Sequence, residues 1–191
     1  MALILASASP RRKELLEMLG AKNMKVIPAK GEEAPCEGLS PAETVMALAG
    51  AKAAEVAGQA AEGDTVIAAD TIVCLDGRKL GKPHSVAEAA EMLRALSGRA
   101  HEVYTGLAVR HNEHCELTYE RTAVRFKPLT GQEIAAYIAT GEPMDKAGAY
   151  GIQGRASLFV EGIDGDYFNV VGLPVCTLGK LLSSLGVEAW N

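Results

Sequence analysis

The stretch that most constrains this chain is Asp64-Thr-Val-Ile-Ala-Ala-Asp70-Thr71-Ile-Val-Cys74. Val66, Ile67, Ala68 and Ala69 form a continuous apolar run, which predicts a strand buried on both faces. Asp70 interrupts that run. Burying a bare carboxylate is costly, so Asp70 needs a counter-charge, a metal ion or a catalytic task. The structural alternative is an aspartate capping a turn at a strand edge. Such a residue would follow the apolar run rather than sit inside it. Thr71 comes next, and Ile72-Val73 resume the strand. Asp76-Gly77 then spells a type I′ hairpin. Gly81-Lys82-Pro83 lies beyond it, so the chain is expected to fold back and bring Lys82 near Asp70.

With 191 residues the chain can build a real core, as one domain or two small lobes. A single domain over 1–191 is the expectation. The net charge of −5 argues against a general nucleic-acid binder, which needs a basic face. It leaves room for a small anion held by a local basic cluster. Cys36, Cys74, Cys115 and Cys176 lie far apart with no Cys-x-x-Cys spacing. That pattern argues against structural zinc and for reduced thiols. No signal-peptide pattern and no apolar stretch of transmembrane length is present, so a cytoplasmic protein with no membrane partner is expected.

Ala2-Leu-Ile-Leu-Ala6 predicts a short buried strand. Ser9 suits a helix N-cap and Pro10 the first helical position, with a helix through Leu19 and Gly20 as its stop. The anomaly is Arg11-Arg12-Lys13 in the first turn, where cations oppose the helix macrodipole. Those cations, the Ser7 and Ser9 hydroxyls and free helix N–H groups together make a candidate phosphate site. The bland alternative is a solvated basic patch. The spacing is not a Walker A loop. No Gly-x-Gly-x-x-Gly occurs either, which removes a Rossmann-type oxidoreductase.

Further along, Lys25-Val-Ile27 reads as a second short strand. Glu32-Glu33 reads as solvated loop. Ser40-Pro41-Ala42-Glu43 is a capping box opening a helix to about Ala61. Lys52 on that helix reads, by itself, as solvated. Ser85-Val-Ala-Glu88 is a second capping box for a helix ending at Leu96. His101 to Val109 alternates as a strand, His111-Asn-Glu-His114 is a turn rather than a metal pair, and Cys115 to Phe126 is the return strand. Thr130-Gly-Gln-Glu133 caps another helix. Glu142 to Gly154 carries three glycines, which suggests backbone held close to a ligand, with a flexible loop as the alternative. Ser157-Leu-Phe-Val160 reads as a strand, and Pro174 opens a last helix to about Leu185.

Acidic side chains beside a basic cluster suit hydrolysis of a polyphosphate. Mg²⁺ needs carboxylate oxygens and bridges substrate phosphates. Lys and Arg offset charge as the leaving group departs. A carboxylate near the metal can orient or deprotonate the attacking water.

Taken together, Ser7-Ala-Ser9-Pro10-Arg11-Arg12, Ala69-Asp70-Thr71-Ile-Val73, Gly81-Lys82-Pro83, Leu96-Ser-Gly98, Asp145-Lys-Ala-Gly-Ala-Tyr-Gly-Ile-Gln-Gly154 and Val171-Gly-Leu-Pro174 resemble the Maf family, in its order and spacing over essentially the whole chain. The resemblance implies a nucleoside triphosphate pyrophosphatase that uses a divalent cation, Mg²⁺ or Mn²⁺. It implies an elongated, two-lobed α/β fold with a mixed sheet flanked by helices, of the inosine triphosphatase or Maf/Ham1 type, with the cleft between the lobes. The loop ending Gln153-Gly154 resembles the dTTP/UTP branch; the 7-methyl-GTP branch has a different loop without this glutamine. By the same resemblance Asp70 is the proton acceptor, and Arg11, Thr71 and Gln153 mark substrate preference. Glu33, Lys52 and Lys82 match further active-site positions, overriding the solvated readings of Glu33 and Lys52. Asp70 and Glu33 are the expected metal carboxylates, and Ser7, Ser9 and Arg12 the phosphate contacts. Ala156 departs from the glycine that relatives often have there. A homodimer is expected on resemblance alone. The competing class is a regulatory nucleotide-binding protein acting in septum formation; Asp70 favours the enzyme.

Overall fold

The computed structural model describes residues 2–21, 23–31 and 37–188. The chain divides into two compact units, one of Met1–Asp70, Thr105–Glu120 and Gly172–Asn191, the other of Thr71–Tyr104 and Arg121–Val171. A seven-stranded mixed sheet runs through the described residues in the order β2 (Lys25–Val26), β1 (Leu3–Leu5), β3 (Thr65–Leu75), β5 (Ala100–His111), β6 (His114–Phe126), β7 (Val160–Asp164), with β4 (Arg78–Leu80) on β3. No described helix is long and apolar enough to cross a membrane.

In the first unit β1 (Leu3–Leu5) lies between β2 (Lys25–Val26) and β3 (Thr65–Leu75), parallel to both. The chain leaves β1 through α1 (Pro10–Met18) to reach β2 on one side. It then returns through α2 (Pro41–Ala57) to β3 on the other. The strand order therefore reverses at β1, and the carboxyl ends of β1 and β3 flank a topological switch point, the place where open α/β sheets bind ligands. The predicted capping box forms at α2: Ser40 Oγ accepts from the Glu43 N–H, and Glu43 accepts from the Ser40 N–H. The helix ends at Ala57, short of the expected Ala61.

Period-2 alternation puts Ile4, Ala6, Val66 and Ala68 on one sheet face, where they pack against Ala49, Ala53 and Val56 of α2. Glycine at position 106 of β5 (Ala100–His111) lets the main chain of α2 pass close by. A Cβ added at Gly106 would lie 2.1 Å from the Val45 carbonyl oxygen.

The second unit holds the rest of β3 and its hairpin to β4 (Arg78–Leu80), paired Val73 with Leu80 and Leu75 with Arg78. Asp76 and Gly77 both take positive φ, 51° and 78°, as a type I′ turn requires. Helices α3 (Val86–Leu96) and α4 (Gly131–Ile138) belong here. The Thr130 capping box forms in full. At α3 only half of the second box forms: Ser85 caps the Glu88 N–H, but Glu88 accepts from the His84 N–H at 2.7 Å.

The unit's core is aromatic. Phe126, on β6 (His114–Phe126), meets Tyr150 and Phe159 edge to face at 4.7 and 6.0 Å, and Tyr137 meets Phe159 at 5.2 Å. His101 is buried with them and shares a 2.8 Å hydrogen bond with the Tyr150 hydroxyl.

The expected strand over 157–160 is corrected. Residues Arg155–Phe159 form a 3₁₀ turn and β7 runs Val160–Asp164, antiparallel to β6. Ala156 and Phe159 are buried while Leu158 is 76% exposed. That spacing of three is helical, not the alternation of a strand. The chain closes with α5 (Tyr167–Val171) and α6 (Val175–Ser184), the latter in the first unit.

Candidate active site

The first unit holds six of the expected residues, around the switch point. The Ala6 N–H donates to the Ile67 carbonyl at 2.8 Å, holding the end of β1 against β3. Ser7 then turns away from the sheet and is buried. Its Oγ accepts the Ser9 N–H at 3.2 Å and Arg12 Nη1 at 3.0 Å, while Arg12 Nε donates to the Gly172 carbonyl at 2.7 Å. Ser9 stands at the N-cap of α1 without a side-chain cap bond. Arg12 is therefore folded inward across the turn rather than solvated. Desolvation pulls its pKa down to about 10; nearby Asp70 opposes that shift and Arg11 adds to it. The guanidinium remains a cation at neutral pH in a setting that an anion would complement. Lys13 points elsewhere and pairs with Glu17 one turn on.

Asp70 follows Val66 and Ala68 at the strand's period of two, so it faces α2. Lys52 lies one turn beyond Ala49 on the helix, and its ammonium is ion-paired with Asp70 Oδ1. The two side chains are 24% and 12% exposed. The solvated reading of Lys52 fails because the helix stripe that buries Ala49 and Ala53 brings residue 52 to its edge. Arg11 is partly buried on the same first turn. Glu33 lies outside the described residues.

The second unit holds the other three. Thr71 sits on the opposite face of β3 from Asp70, sharing that face with Val73. Lys82 is exposed just after β4. The Gly81 carbonyl beside it accepts the Gly148 N–H at 3.0 Å, which ties this turn to the loop that carries Gln153. Gln153 is exposed.

The three glycines of that loop have reasons within the protein itself. Gly148 has φ +66°, and a Cβ there would meet Val73 Cβ at 2.9 Å. A Cβ at Gly151 would meet Lys146 Cε at 2.6 Å, and one at Gly154 would meet Glu142 Oε1 at 1.9 Å. The room they leave is filled by β3 and by two charged side chains. Nothing in the sequence signalled Glu142, nor the Gly172 carbonyl that holds Arg12, because both act on partners fixed by the fold.

A family model described as Maf-like protein matches residues 2–185. The chain belongs to the Maf-like family. Among other Maf-like relatives, a dTTP/UTP pyrophosphatase of Moorella thermoacetica is 54% identical over 191 residues, covering 99% of this chain and 97% of the relative. One of Bacillus cytotoxicus with the same name is 54% identical over 179 residues, covering 94% and 93%. Among solved structures, a HAM1 protein from Coxiella burnetii aligns with TM-score 0.55 at 17% identity, over 96% of this chain and 99% of that one. The Staphylococcus aureus Ham1 protein gives 0.51 at 14%, over 97% and 100%. At such identities these two speak for the fold alone, and they bear out the expected Ham1-type mixed α/β architecture.

Proposed function

We propose that this Maf-like chain hydrolyses dTTP and UTP to the nucleoside monophosphate and pyrophosphate. The observation that carries the reading is the buried Asp70 held by Lys52, on the strand next to the turn that folds Arg12 inward. The names of the relatives supply the substrate class.

In this reading Lys52 fixes the Asp70 carboxylate so that it takes a proton from water. The water oxygen bonds to the α-phosphorus, the bond to the α–β bridging oxygen breaks, and pyrophosphate leaves with that electron pair. Arg12, Lys52 and Lys82 offset the charge on the phosphates, and the Ser7–Ser9 turn cradles them. Among the described residues no group of three His, Cys, Asp or Glu side chains could hold a metal. Mg²⁺ and Mn²⁺ are met in such enzymes by one or two carboxylates together with substrate phosphates, and Asp70 fits that role, with Glu33 as the second carboxylate. When bound, the cation would stabilise the charge that develops on the departing pyrophosphate. Gln153, with Thr71 and Arg11, is the base-selecting group.

The test is a pyrophosphate-release assay on purified protein with Mg²⁺ and Mn²⁺ across dTTP, UTP, CTP, ATP, GTP and 7-methyl-GTP. Release from dTTP and UTP well above the others supports the proposal. Tight nucleotide binding without turnover would replace it with a regulatory binding role.

A further inference from the structure

Gln153 sits between two 3₁₀ turns, Ala147–Ala149 and Arg155–Phe159, in a stretch with no strand or helix of its own. Its position must be set by something other than a regular hydrogen-bond ladder. Glu142 does this. Its Oε1 accepts the Tyr137 hydroxyl at 3.0 Å, and its Oε2 accepts the Arg155 N–H at 3.2 Å. The same Tyr137 oxygen accepts the Gly151 N–H at 3.3 Å. The residues two before and two after Gln153 are thus tied to one carboxylate, directly or through one hydroxyl.

The fit leaves no slack. Gly154 has an ordinary extended φ of −94°, so its need for glycine is one of space: Glu142 Oε1 lies where a Cβ would be. Glu142 is itself pinned, because Lys146 Nζ donates to its carbonyl at 2.7 Å and packs its stem over Gly151. Tyr137 is 3% exposed, and burial raises its hydroxyl pKa, so it stays a hydrogen-bond donor at any working pH. Charge-assisted bonds to backbone N–H groups fix direction as well as distance, which apolar packing does not.

We propose that Glu142 is a positioning residue for base selection. It holds the loop so that the Gln153 amide meets the N3–H and carbonyl edge of uracil or thymine. The proposal rests on the reading of Gln153 as the base-selecting group.

The experiment compares Glu142→Gln and Tyr137→Phe with Gln153→Ala. It measures kcat/KM for UTP and CTP and amide hydrogen exchange at residues 151–155. Glu142→Gln keeps the size but removes one acceptor; Tyr137→Phe keeps the ring and removes the hydroxyl. The expected result for each is a UTP-to-CTP ratio about tenfold lower, the loss of roughly one good hydrogen bond, with CTP turnover little changed. Exchange at Gly151 and Arg155 should speed up. Adding Glu142→Gln to Gln153→Ala should lower the ratio no further. Should Glu142→Gln not fold, Tyr137→Phe carries the same comparison. Equal losses for UTP and CTP would make Glu142 a stability element and overturn the proposal. An altered ratio in Gln153→Ala but not in the other two variants overturns it alone. An unaltered ratio in Gln153→Ala overturns the base-selecting reading, and this proposal with it.

Discussion

Lys52 and Asp70 stand 18 residues apart and are joined by an ion pair between α2 and β3. A helix stripe and a strand face meet there because both follow the periods that bury Ala49, Ala53, Val66 and Ala68. Asp70→Asn keeps the size and an acceptor for Lys52 but cannot take a proton. It is expected to fold normally and to lose turnover on the order of 10²-fold or more. Near-normal rates would remove Asp70 from the chemistry.

Lys52→Ala should behave differently, because it strands a buried carboxylate. A destabilisation of about 1–3 kcal/mol is expected, together with the loss of activity. Lys52→Ala/Asp70→Asn should then be more stable than Lys52→Ala alone, since the double variant has no bare charge. Urea unfolding of the set decides it; simple additivity would mean that the pair contributes nothing to the fold.

Arg12→Ala and Lys82→Ala should each raise the KM for dTTP, by roughly tenfold for the desolvated Arg12. Added salt should weaken triphosphate binding while the thermal midpoint barely moves, because screened charges serve the ligand rather than the core. Parent-like kinetics in both variants would discard the phosphate cradle.

Uracil and thymine present an N3–H flanked by two carbonyls, which a glutamine amide can match with an acceptor and a donor. Cytosine lacks that N3–H. A mismatch in a desolvated site costs roughly 1–3 kcal/mol, so UTP should be preferred to CTP. Gln153→Ala is expected to blunt that preference more than it lowers the best rate. Equal kcat/KM for UTP and CTP in the parent would rule out the role given to Gln153.

Burial holds the His101 pKa at about 4, below its ordinary 6.5, and the side chain is 3% exposed. Between those values the unfolded chain binds the extra proton, so stability falls as pH is lowered through that window. At roughly 1.4 kcal/mol per pKa unit, the shift from 6.5 to about 4 sets the loss at about 3 kcal/mol by the bottom of that window. His101→Gln should flatten this slope in urea midpoints measured between pH of about 7 and about 4. A parallel slope in the variant would assign the acid sensitivity to other groups.

What was legible from sequence was chiefly local. Ser40 with Glu43, Thr130 with Glu133, and Asp76-Gly77 announce themselves because their partners lie within three residues. Glu88 shows the limit: the His84 N–H competes for its carboxylate, and spacing alone does not say which amide wins. Leu158 misled in the other direction, since an apolar residue in a short apolar run looks buried until a 3₁₀ turn points it outward. The glycines of the 148–154 loop were readable as close approaches, but not what approaches them; Val73 comes from a distant strand. Asp70 stood out because a charge inside an apolar run is conspicuous, whereas Lys52 on an alanine-rich helix is not. Its role came from resemblance, and its partner from the fold.

Gly106 gives the molecule a depth gauge. A helix seated on long side chains can sink or rise as rotamers change, but α2 rests at Val45 almost directly on the main chain of β5. Lys52 lies seven residues further along the same rod, about two turns away. A methyl group at residue 106 would act as a wedge under one end of that rod. Its effect would be felt at the ammonium beside Asp70, two helical turns from the point of contact.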